Sequence, residues 1–137
     1  MAHAELEHLY LAMIPAVRHA LEGHGGLRPF AAALGTDGRV ARIEPRDGTH
    51  DGSPAAHLRA VHGAVQAYAA AEHVRAVCVC TAVTLEADDV GEAPDGVRVH
   101  LEHVDGESVD VLLPYRAGTD GVEYGEAVAQ EAGRRLL

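Results

Sequence analysis

The chain has 137 residues, 47% of them apolar and 23% charged, the size and mixture of one globular domain (residues 1–137) that buries its own core without disulfide or metal staples. Eleven arginines and no lysine stand against 21 Asp and Glu, for a formal charge of −10, so the overall field repels nucleic-acid phosphates and anionic membrane surfaces. The absence of lysine excludes Schiff-base lysine chemistry and a Walker-type phosphate loop, both of which need the ammonium group.

In chain order, Leu6, Leu9, Tyr10, Met13, Val17, Ala20 and Leu21 recur at three- and four-residue intervals and predict a helix over residues 3–22. Pro15 lies inside it and removes a hydrogen bond to the Leu11 carbonyl, so a kink or a break into two short helices is expected. The acidic start, Glu5 and Glu7, is unlike a signal peptide, and the apolar stretch Leu9–Val17 is too short to span a bilayer. Alternation at Phe30, Ala32 and Leu34, the Asp37-Gly38 turn, and alternation at Ala41 and Ile43 predict a hairpin that pairs Leu34 with Ala41 and Ala32 with Ile43. Residues 44–52 read as a loop. Ser53-Pro54 is an N-cap with proline at the first helical position, and Leu58, Val61, Val65, Tyr68 and Ala69 carry the stripe of a second helix that fades by Glu72.

From Val74 to Leu85 the chain is apolar nearly throughout and predicts a central strand, with Val77, Val79, Thr81 and Val83 on one face and Ala76, Cys78, Cys80 and Ala82 on the other. Residues 86–96 form an acidic loop. A second hairpin follows, Val97–Val104 with Glu107–Tyr115. A two-residue Asp105-Gly106 loop would set the apolar stripe of one strand against the wrong face of the other. A three-residue loop, Val104-Asp105-Gly106, pairs Leu101 with Val109, Val99 with Val111 and Val97 with Leu113, and places Gly106 at a left-handed position. Residues 118–137 suggest a closing helix through Tyr124, Val128 and Ala132, weakened by Gly125 and Gly133. Val77, Val79, Val83, Leu58, Val61, Val65, Leu9, Met13 and Val17 are expected in one core.

The fold class is therefore α+β: one antiparallel sheet of about five strands with helices packed on it, in the order α-β-β-α-β-β-β with a possible closing α. This order is similar to that of profilin-like and roadblock-like domains, and the resemblance implies a dimerising scaffold or ligand-sensing module.

Ten histidines prompt a search for metal spacing. His3/His8, His19/His24 and His57/His62 are each five apart, which on a helix swings the second ring away from the first. His62 sits at the edge of the second helix's apolar stripe and reads as a half-buried core histidine. His100 and Glu102 share one face of a strand and form the candidate metal pair. His103 falls across from Glu107 at the mouth of the second hairpin, the candidate acid/base pair. Ser53 and Ser108 lack a nucleophile elbow. Cys78 and Cys80, two apart on one strand face, suit a disulfide poorly and read as buried, reduced thiols, which fits a cytoplasmic location. The acidic loop, with Glu86, Asp88, Asp89, Glu92 and Asp95, does not match a calcium-binding loop.

The expected function is a non-enzymatic binding or assembly module, a homo-oligomer and most simply a homodimer, with another protein as a further partner, no cofactor, no nucleic acid and no membrane. The alternative is a small enzyme or metal-binding protein using a His/Glu pair.

Overall fold

The computed structural model describes residues 4–23, 27–45, 53–84, 95–118 and 121–137. Among them, two helices and seven strands follow in the order α1 (Ala4–Glu22), β1 (Phe30–Gly35), β2 (Val40–Ile43), α2 (Pro54–Ala71), β3 (Val74–Thr84), β4 (Asp95–His103), β5 (Ser108–Gly118), β6 (Gly121–Tyr124) and β7 (Val128–Glu131). All pairings are antiparallel, in the spatial order β2-β1-β3-β4-β5-β6, with β7 also on β5. The chain is α+β, as expected, with more strands than the five anticipated. Most of the acidic loop, residues 46–52 of the expected first loop, and His3, His24 and His50 lie outside the described residues.

Strands β1 and β3 are buried on both faces, because each helix covers a different one, and β4 has α1 on one face and the segment after β7 on the other. Helix α1 lays Leu6, Leu9, Met13 and Val17 on Ala32, Ala76, Cys78, Cys80, Val97, Val99 and Leu101. Helix α2 lays Val61 and Val65 on Ala31, Ala33, Val77 and Val79, with Leu136 from the segment after β7. The expected single core is thus two, separated by the sheet, and Leu9, Met13 and Val17 never share a layer with Val61 and Val65. Leu58 packs on the α2 layer only partly buried, and Val83 is half-buried. The narrow Ala/Cys face of β3 lets α1 approach closely, and both cysteines are free and buried.

Helix α1 runs through Pro15 without a break. Pro15 and Leu11 are on the exposed side, where water can serve the freed Leu11 carbonyl. Ser53 caps α2 as expected, its hydroxyl accepting from the Ala56 N–H at 3.1 Å, with Pro54 at the first turn.

The second hairpin has the expected register: Leu101 opposes Val109, Val99 opposes Val111 and Val97 opposes Leu113. Gly106 takes φ +112°, and Asp105 Oδ1 accepts the Glu107 N–H at 3.0 Å. The first hairpin departs by one residue. Leu34 opposes Val40 and Ala31 opposes Ile43, because its loop is also three residues long. Gly35 N–H donates to the Arg39 carbonyl, Asp37 Oδ1 accepts the Arg39 N–H at 3.0 Å and Gly38 takes φ +82°. Matching apolar to apolar could not choose the register there, since β1 buries both of its faces. The closing helix expected at the end is absent. Strands β6 and β7 stand in its place, and residues 132–137 carry no regular structure.

Candidate functional site

Helix α2 lies over β1, β2 and β3, and residues 132–137 cover the same face of β4 and β5. Alternation along β4 sends Val97, Val99 and Leu101 towards α1 and Arg98, His100 and Glu102 to this second face. On β5 the register sets Asp110 directly opposite His100.

The result is a buried chain of ionisable groups. His100 is 3% exposed, Glu102 0% and Asp110 6%. His100 Nδ1 lies 2.7 Å from Asp110 Oδ1, and Nε2 lies 2.6 Å from Glu102 Oε2. Each ring nitrogen therefore faces a carboxyl oxygen, and the imidazole bridges the two acidic side chains. Glu102 also accepts the backbone N–H groups of Arg135 (2.7 Å), Leu136 (3.0 Å) and Leu137 (3.0 Å). Burial pushes the Glu102 carboxyl up, but the hydrogen bonds from His100 and from the Arg135, Leu137 and Leu136 backbone outweigh it and hold the group below the ordinary carboxylate value. Burial pushes the His62 imidazole on α2 down, with the electrostatic influence of His100 and Arg135 acting the same way and Glu102 against them. Arg98 Nε is 3.9 Å from Asp110 Oδ2 and, among the described residues, has no hydrogen-bond partner.

The other sequence-derived pair lies at the hairpin end on the α1 face. His103 is opposite Glu107, its N–H donating to the Glu107 carbonyl at 2.8 Å. Its ring, 3% exposed, meets Glu5 Oε1 from α1 at 3.1 Å through Nε2 and accepts the Asp105 N–H at 3.1 Å through Nδ1. Glu5 also takes the Arg75 guanidinium, with Nη2 to Oε1 at 2.6 Å, and that hydrogen bond is the main reason its carboxyl drops to about 2. Glu107 borders an open depression of about 290 Å³ with Ser108, Glu131 and Arg134. The Cys80 thiol is pushed up by its hydrogen bond with Cys78 and by burial, which suppresses the thiolate.

The two pairs therefore occupy opposite faces of β4, and the structure does not bring them into one site. Sequence reasoning missed Asp110 and the backbone of residues 135–137. Among the described residues no group of three or more His, Cys, Asp or Glu side chains is arranged to hold a metal ion, and no helix is long and apolar enough to cross a membrane. Comparison with protein-family models, with curated proteins and with solved structures returns no match.

Proposed function

We propose that the protein is a binding and assembly module without catalysis of its own, and that two copies associate through the outer edge of β7. The carrying observation is that Val128–Glu131 is exposed at every residue while, among the described residues, it pairs with β5 alone. Ala132 N–H donates to the Ser108 carbonyl at 3.1 Å, so by antiparallel alternation Gln130 also points its backbone groups at β5, and Ala129 and Glu131 point theirs outwards. A two-fold axis at Gln130 then pairs Ala129 with Glu131 of a second copy, twice, and no carboxylate faces its own kind. The opposite border, β2, is defended by charge: Arg42 is exposed there, beside Glu44 and over the Phe30 ring. Strand β7 has no proline, no basic residue and an exposed Val128.

Sedimentation equilibrium tests this reading. The wild-type chain should give twice its monomer mass at micromolar concentration, and Ala129→Pro, which removes an outward N–H and leaves the β5 ladder intact, should give the monomer. A wild-type monomer at high concentration would contradict it.

The second reading rests on His100, held between two carboxylates. A metal ion bound by His100 and Glu102, or acid/base work by His103 and Glu107, would make the protein a small enzyme or metal carrier. Zinc with ligands at about 2.1 Å in tetrahedral geometry needs its donors roughly 3.4 Å apart, so the 2.6 Å His100–Glu102 contact must open and lose its proton first. Metal analysis of tag-free protein decides: stoichiometric metal supports this reading, and a trace amount counts against it.

A further inference from the structure

The segment after β7 is held as a ligand is held. Of residues 132–137 only Leu136 is buried, seated in the layer of Val61, Val65, Val77 and Val79. The remaining grip is mostly on backbone: three successive N–H groups, from Arg135, Leu136 and Leu137, converge on the buried Glu102 carboxylate, Gln66 Nε2 donates to the Arg135 carbonyl at 3.2 Å, and Ser108 Oγ donates to the Gly133 carbonyl at 3.3 Å. Arg134 adds one contact of its own side chain, Nη1 to the His103 carbonyl at 2.9 Å.

We propose that the groove between α2 and β4 is a peptide-binding site, which this segment fills in cis and which takes in trans an extended basic peptide with a leucine-sized side chain. Three features support it. Backbone recognition with one side-chain anchor tolerates many sequences, as in strand addition to a sheet. A segment with one buried side chain and no ladder beyond Ala132 opens at lower cost than the sheet beneath it. Once it opens, Glu102 loses three backbone donors that only water replaces, so the groove favours a chain whose N–H groups restore them. The basic preference follows from the two arginines of the occupant and the −10 charge of the protein. This inference does not depend on the association of two copies.

The test is fluorescence anisotropy with a labelled synthetic peptide of residues 131–137. Self-occupancy should make binding to the wild-type chain weak, because only the open fraction is competent. The full-length Leu136→Asp variant vacates the groove and should bind the peptide at least about tenfold more tightly, and adding Glu102→Gln should abolish that gain. Should the Glu102 variant not fold, Gln66→Ala on the exposed face of α2 serves instead and should weaken binding several-fold. A peptide that binds wild type and Leu136→Asp equally, or binds neither, overturns the proposal. So does binding indifferent to both Glu102→Gln and Gln66→Ala, since the peptide would then sit elsewhere.

Discussion

Glu102 is a charged side chain with no exposure, and everything near it answers the cost of that burial. Four donors surround its two oxygens. Replacing it by Gln keeps the shape but faces an amide N–H₂ towards backbone groups that themselves donate, and removes the carboxylate charge that they surround. Glu102→Gln should therefore cost about 3 kcal/mol at pH 7, read by urea denaturation. The carboxyl has a lower pKa folded than its ordinary 4.5, so its contribution is complete above that value and disappears as pH falls through the lower folded one. The gap in stability between wild type and Glu102→Gln should narrow on acidification below about pH 4.5, and a gap unchanged by pH would refute the ionised assignment. That His100 and Glu102 share a face was legible from strand periodicity. So, in principle, was Asp110: the register that sets Leu101 against Val109 also sets His100 against Asp110, in an otherwise apolar run. The donors from residues 135–137 had no sequence signal, since backbone N–H groups are the same in every residue.

At the level of elements, local chemistry was readable wherever a side chain must meet a backbone group, and unreadable where only tertiary pairing decides. Ser53 was recognisable as a cap, and Ser53→Ala should cost about 1 kcal/mol in a thermal or urea melt. The second hairpin was correctly registered because β4 and β5 alternate cleanly on the α1 face. The first was not, because an Ala-rich strand buried on both sides accepts either register. Strands β6 and β7 were missed: Tyr124, Val128 and Ala132 fall four apart and imitate a helical stripe, while β7 buries nothing that would show a two-residue period. Two glycines test the backbone account with opposite signs. Gly106→Ala at φ +112° should destabilise by about 1–2 kcal/mol, whereas Gly63→Ala, on the exposed side of α2 with nothing within 4 Å of its Cβ, should stabilise by about 0.5–1 kcal/mol. Equal effects at the two positions would contradict the assigned conformations.

For the whole molecule, a sheet with a helix on either side has two independent cores. Leu9→Ala and Val61→Ala remove buried side chains from opposite layers, each at about 2–4 kcal/mol, and the double variant should lose their sum within about 0.5 kcal/mol. A strong coupling would mean that the two helices share a layer after all. The same layering leaves the molecule asymmetric at its borders, with β2 guarded by arginine and β7 open. Association through β7 is the central claim, and it makes a residue-level statement about backbone amides. Hydrogen exchange read by NMR at two protein concentrations tests it most directly. On going from dilute to concentrated protein, the amides of Ala129 and Glu131 should become protected, while those of Val40–Ile43 on the opposite border stay unchanged. If the sedimenting mass doubles while Ala129 and Glu131 exchange as fast as before, the two copies meet on another surface and the account is wrong.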